Sequence, residues 1–183
     1  SYKVISEWVT YLKKRPVIAA FTATATHAVK RDIIDLLRLR QPGQYISGVD
    51  RENLIYRVVK PPKKYAYLLD WLKEVPSDYT GIIYCATRKT VEQVAKALKK
   101  DGINAGFYHG GMEAEKRNSV QDAFMLDKKR IIVATNAFGM GIDKPDVRFV
   151  IHYNMPKNME AYYQEAGRAG RDGLESDCIL MYD

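Results

Sequence analysis

Ile82-Ile83-Tyr84-Cys85-Ala86-Thr87-Arg88 reads as a strand that ends in a hydroxyl and a guanidinium. Four consecutive apolar residues with no polar alternation suit a strand covered on both faces, as in a parallel sheet. The period then changes, because Val91, Val94, Ala95 and Leu98 recur at helical spacing. The same unit repeats along the chain. Val17–Phe21, Ala105–Tyr108, Ile131–Ala134, Phe149–Tyr153 and Cys178–Tyr182 are further short apolar runs. Between them, Val29, Ile33, Leu36 and Leu37 keep a helical spacing, as do Tyr65, Leu68, Leu69 and Leu72. This alternation predicts an α/β fold: a doubly wound parallel sheet with helices on both faces and ligands at the carboxyl ends of the strands.

A chain of 183 residues, 46% of them apolar, can bury a substantial core. It has no run of eighteen apolar residues and no charged-then-apolar leader, so a soluble, untargeted segment with no membrane partner is expected. Cys85 and Cys178 lack metal-ligand spacing and read as reduced, buried thiols of a cytosolic protein. The formal charge of +7 leans toward a polyanionic partner. Much of it sits in groups such as Lys13-Lys14-Arg15 and Lys128-Lys129-Arg130, which also serve solubility. A seam falls after Gln41-Pro42-Gly43. Residues 1–48 supply a helix, a strand and a helix, and read as the tail of a preceding domain or as an appendage. Residues 49–183 form a self-sufficient run of β-α units.

Several strand ends carry chemistry. Gln164-Glu165-Ala166-Gly167-Arg168-Ala169-Gly170-Arg171-Asp172-Gly173 sets two arginines three residues apart among three glycines. Their flat forks match phosphate oxygens two at a time, and the spacing turns both the same way. Such a pair suits the charge on a transferring phosphoryl group; a glycine-rich surface turn with solvated arginines is the plainer reading. Thr87 and Arg88 either hold a phosphate at the start of a helix or simply cap it and face water. Tyr108-His109-Gly110-Gly111-Met112 offers an imidazole donor beside a turn open to close backbone approach. Thr135 and Asn136 begin a loop of polar side chains and exposed backbone N–H groups that runs to Gly139-Met140-Gly141, and Asp143 beyond it can reach a ribose hydroxyl. That loop is not a dinucleotide fingerprint, because Lys144 stands where the third glycine belongs, and no G-x-x-x-x-G-K-[ST] occurs anywhere. Phe21-Thr22-Ala23-Thr24-Ala25-Thr26 alternates threonine with small residues. No hydrolytic triad, metal cage or paired-carboxylate site is apparent.

In this order the stretches resemble the second RecA-like lobe of a RecQ-family DNA helicase, a superfamily-two ATPase. Thr22–Thr26 matches motif III, Ile82–Arg88 motif IV, Val133–Tyr153 motif V and Tyr162–Gly173 motif VI; Tyr108–Met112 resembles the segment after motif IV. Gln164 and Glu165 stand where DEAD-box RNA helicases carry histidine and arginine. The resemblance implies an ATP-dependent, 3′-to-5′ DNA-unwinding parent using ATP and Mg2+, in DNA repair or recombination, in the cytoplasm or nucleoid (the nucleus of a eukaryote). It makes Arg171 the arginine finger with Arg168 beside it, and puts Gln164, Asp143 and Gly141 near the nucleotide. Thr87, Arg88, His109, Thr135 and Asn136 would grip the sugar-phosphate backbone of single-stranded DNA, with single-stranded and duplex DNA as partners, and Thr22 and Thr24 would couple ATP state to lobe movement. The P-loop and the magnesium-holding carboxylates belong to the family's first lobe, the implied partner, so this chain alone is expected to be inactive. The alternatives are a lobe of another superfamily-two helicase acting on RNA and a non-catalytic nucleic-acid-binding module.

Overall fold

In the computed structural model, the described residues are 2–22, 27–45, 51–139 and 142–182, with backbone only for residues 2 and 3. Thr24 and Gly141 lie outside them, as do the rest of Ala23–Thr26 and residues 46–50 at the seam. The chain divides into two compact units, Ser1–Asp50 and Arg51–Asp183.

The first unit contains helices α1 (Tyr2–Thr10) and α2 (His27–Leu36). The Arg15 guanidinium donates to the carbonyls of Leu37 (3.2 Å) and Arg38 (2.7 Å), where α2 leaves its last carbonyls without helical partners. Val17–Phe21, expected as a buried strand, is not one. Val17 is 99% and Phe21 92% exposed. An extended segment becomes a strand only when a neighbour takes up its backbone groups, and the described residues of this unit include no strand to pair with it. Thr22 lies in the same exposed segment.

The second unit is the expected parallel sheet with helices, with one further strand, β1, that the apolar runs did not show. Its elements are β1 (Leu54–Val59), α3 (Lys64–Glu74), β2 (Thr80–Tyr84), α4 (Arg88–Lys100), β3 (Ala105–Tyr108), α5 (Ala114–Met125), β4 (Ile131–Ala134), β5 (Val147–His152), α6 (Met159–Ala166) and β6 (Ser176–Met181). The strands form one sheet in the order β1-β6-β5-β2-β4-β3, and every pairing is parallel. Alternation along each strand divides the core in two. Ile83, Ile131, Val133, Phe149, Ile151 and Ile179 pack with Leu68 and Leu72 of α3 and with Val91, Val94 and Leu98 of α4. Ile82, Tyr84, Ile132, Ala134, Val150 and Cys178 point the other way, toward Phe124 of α5 and Ala166 of α6. Helices therefore cover both faces. Each wholly buried isoleucine contributes about 1.5–3 kcal/mol over an exposed one, so the central strands dominate the stability of this unit. Gly81 is there for packing: a Cβ on it would stand 2.0 Å from the Phe149 ring.

Candidate functional site

Because all six strands run the same way, their carboxyl ends share one edge. At the end of β2, Thr87 caps α4: its Oγ1 accepts the Thr90 N–H at 3.1 Å. Arg88 reaches toward the end of β3, where a Cβ on Gly111 would stand 2.7 Å from Arg88 Nη1. Thr135, at the end of β4, donates its N–H to Tyr108 O (3.2 Å), and its Oγ1 accepts from Ala137 N (3.4 Å). Asn136 beside it is exposed. These four residues thus form a row across β2, β4 and β3. His109 is placed differently. It is buried, its Nδ1 accepts the Gly111 N–H (3.3 Å), and its Nε2 faces Glu92 Oε1 at 3.0 Å. That arrangement puts the ring proton on Nε2 and leaves His109 holding the Gly110-Gly111 turn in shape rather than presenting a donor outward.

The two arginines lie elsewhere. After α6 the chain runs back beside β5: His152 Nε2 meets Glu165 Oε2 at 2.9 Å, whereas Gly170 N donates to Val147 O at 2.8 Å. Arg171 therefore sits toward the amino edge of the sheet, away from the carboxyl strand ends where ligands were expected. The cause is the loop from β4 to β5, which must cross from one edge to the other and takes Gly139 and Asp143 with it. Both guanidinium groups lean on that loop. Arg168 Nη1 donates to Gly139 O (2.6 Å); Arg171 Nη1 donates to Ile142 O (3.3 Å) and pairs with the exposed Asp143 carboxylate. Gly139 has φ +142°, and a Cβ there would stand 2.2 Å from Arg168 Cζ. Only glycine admits the guanidinium. Gln164 is exposed on α6.

Beneath the arginines is a braced polar layer not assigned from sequence. Tyr84 Oη donates to Phe138 O (3.0 Å), and burial pushes its phenol above the ordinary range against the pull of Arg168. His152, buried, stacks on Tyr84 with ring centroids 5.5 Å apart. Lys144, 4% exposed, is held by Asp127 (2.7 Å) and Asp146 (3.0 Å). Arg51 and Asn53 both donate to Gly170 O, at 2.6 and 2.8 Å. Arg148 on β5 grips both oxygens of Asp172, next to Arg171, while Asp172 N donates to Pro145 O (3.1 Å). The readable signal was a charged or imidazole side chain inside an apolar strand, as at Arg148 and His152; buried polar groups require partners.

The Arg148 guanidinium holds the Asp172 carboxyl below the usual carboxylate range. A depressed native pKa contributes stability that is complete above the unfolded value, about 3.9, and is lost as pH falls through the folded value. Asp172→Asn should therefore melt below the wild type at neutral pH, and the gap should close under acid. Melting temperatures across that range check it; a gap constant with pH would show that the carboxylate charge is not what matters.

Among the described residues no three His, Cys, Asp or Glu side chains come together as a metal-holding group. No helix among them is long and apolar enough to cross a membrane. The family profile "Helicase conserved C-terminal domain" matches residues 63–173. The chain is 44% identical over 182 residues to the ATP-dependent DNA helicase RecQ of Bacillus subtilis, covering all of this chain and 31% of that protein. It is 44% identical over 186 residues to the ATP-dependent DNA helicase Q-like 2 of Arabidopsis thaliana, covering 99% of this chain and 26% of that protein. The chain thus spans less than a third of the length of these relatives. Among solved structures, the E. coli DEAD-box protein SrmB is 28% identical with a TM-score of 0.61, over 71% of this chain and 76% of that one. The arginine-bearing loop and most of the sheet fall inside the matched segment, and the chain belongs to the helicase conserved C-terminal domain family, with RecQ-type helicases as its relatives.

Proposed function

We propose that this chain is the second motor lobe of an ATP-dependent, 3′-to-5′ DNA helicase of RecQ type. Arg171 serves as the arginine finger for ATP, and Arg168 stands beside it. Gln164, Asp143 and Gly141 lie at the nucleotide, and Thr22 and Thr24 couple it to lobe movement. Thr87, Arg88, Thr135 and Asn136 hold the backbone of single-stranded DNA, and His109 supports them through the turn beneath. The nucleotide itself, with any Mg2+, is held by another part of the parent.

The observation that carries this reading is the Thr135–Asp143 segment. It leaves the row of strand-end residues on one edge and finishes against Arg171 toward the other. One stretch of chain therefore connects the surface offered to nucleic acid with the surface offered to a phosphate. A shift of Arg171 toward a developing charge would be felt at Thr135, as a nucleic-acid motor requires. The similarity to proteins named ATP-dependent DNA helicases supports DNA over RNA.

Two measurements test it. The 183-residue chain alone should not hydrolyse ATP with or without DNA; turnover above background would overturn the two-lobe site. It should bind single-stranded DNA with an affinity that falls steeply with salt, each phosphate contact adding about −0.7 to the log–log slope. Arg88→Ala should flatten that slope by about 0.7. Salt-insensitive binding would sink the proposed backbone grip.

A further inference from the structure

The row Thr87, Arg88, Thr135 and Asn136 occupies only half of the carboxyl edge. Beyond β2 the edge continues without a break across β5, β6 and β1. It is knit by backbone and side chain: Tyr153 N donates to Tyr84 O (2.8 Å), Ala86 N to Asn154 Oδ1 (3.1 Å) and Tyr182 N to Val59 O (3.1 Å). Along this second half the side chains change from hydroxyl and amide to aromatic and cationic. Lys64 Nζ donates to Tyr153 O (3.1 Å) and lies 6.0 Å from the centre of the Tyr153 ring. Lys60 Nζ lies 5.4 Å from the centre of the Tyr182 ring, and Tyr182 remains 38% exposed. Where β1 ends, a groove of about 480 Å³ opens between Lys60-Pro61-Pro62-Lys63 and Tyr67 of α3. Lys60 and Lys63 are both exposed beside it.

We propose that this half of the edge is a second stretch of single-strand track, running from Thr87 over Tyr153 and Tyr182 to Lys60 and Lys63, with a base seated in the terminal groove. Interleaved rings and ammonium groups are what an unpaired strand recognises: bases stack on the rings and phosphates meet the cations. A duplex would offer its phosphates but no free base faces. The inference rests on the reading of Thr87, Arg88 and Thr135 as a backbone grip and extends it in the one direction the strand order leaves open, because β3 ends the sheet on the other side.

The topology sets the lengths. From β3 to β2 is two strand spacings, about 10 Å, and from β3 to β1 is five, about 24 Å. Taking the about 3.4 Å per nucleotide of a stacked strand as the tightest spacing, the first half takes up to about three nucleotides and the whole edge up to about seven. Labelled oligothymidylates of about four and about eight nucleotides, titrated by fluorescence anisotropy into the 183-residue chain, separate the two. The wild type should bind the longer at least about tenfold tighter, given roughly 1–3 kcal/mol per stacked base. Lys60→Gln/Lys63→Gln should abolish most of that gain, leave the shorter oligonucleotide unaffected and reduce the salt slope for the longer by about 1.4. Tyr182→Ala should lower affinity for the longer with little change in slope. Lys128→Gln/Lys129→Gln, the same loss of charge next to the start of β4, should leave the length dependence intact. The extension is overturned if Lys60→Gln/Lys63→Gln binds the longer oligonucleotide like the wild type, or if the control pair loses as much. If the wild type binds neither length, the grip at Thr87 and Thr135 fails as well.

Discussion

In the full-length helicase carrying this lobe, Arg171→Ala is expected to cut ATP hydrolysis by roughly 10³-fold or more, as removal of an arginine finger does elsewhere. Binding of single-stranded DNA should stay within about threefold of wild type. The two effects separate because Arg171 lies toward the amino edge of the sheet, whereas the strand-end row lies along the carboxyl edge. Loss of folding does not account for the fall in rate. The Arg171–Asp143 pair joins a guanidinium 35% exposed to a carboxylate 87% exposed, and such surface pairs contribute about 0–1 kcal/mol. Arg171→Lys should also be slow, since an ammonium keeps the charge but not the flat two-pronged donor. Steady-state ATPase and DNA titrations of the two variants check this. Parallel loss of hydrolysis and DNA binding would make Arg171 a structural residue.

The second large effect is expected at Gly139. Its φ of +142° and the 2.2 Å that would separate a Cβ from Arg168 Cζ penalise alanine twice. The backbone strain costs about 1–3 kcal/mol, and the guanidinium must leave its bond to Gly139 O. For a chain of this size each kcal/mol lowers the melting temperature by roughly 2–4 °C, so Gly139→Ala should melt roughly 2–12 °C lower. In the full-length enzyme its hydrolysis should fall as far as that of Arg168→Ala. Because both changes remove the same contact, the double variant should be less destabilised than the sum of the single ones. Additive losses, or wild-type melting for Gly139→Ala, would mean that the glycine and the arginine do not depend on each other.

The sheet was legible wherever a strand is buried on both sides. Ile82–Tyr84 and Ile131–Ala134 are continuous apolar runs because helices cover both faces there, and α4 shows its period because Val91, Val94, Ala95 and Leu98 all point inward. Legibility stops at the margins. Edge strand β1 exposes Tyr56, Arg57 and Val58, so it lacks the buried signature and was not identified. Helix α5 buries only Phe124 and carries almost no period. Val17–Phe21 has the composition of a strand without a ladder partner among the described residues of its own unit, and composition does not supply one. At the site, residue type revealed the arginines and the strand-end hydroxyls. It did not reveal that His109 turns inward, or that Arg148, Lys144 and Asn53 brace the arginine loop. Those facts depend on which elements lie side by side: α4 brings Glu92 to His109, the pairing of β1 with β6 brings Asn53 to Gly170, and the β4-to-β5 crossing brings Lys144 and Arg148 into place.

The most direct test is a structure of the full-length helicase with a non-hydrolysable ATP analogue and single-stranded DNA. This reading places the Arg171 guanidinium within hydrogen-bonding distance of the γ-phosphate, about 2.7–3.2 Å, with Arg168 alongside and the DNA backbone across Thr87 and Thr135. A nucleotide fully engaged elsewhere, with Arg171 still paired to Asp143 and out of its reach, would contradict it.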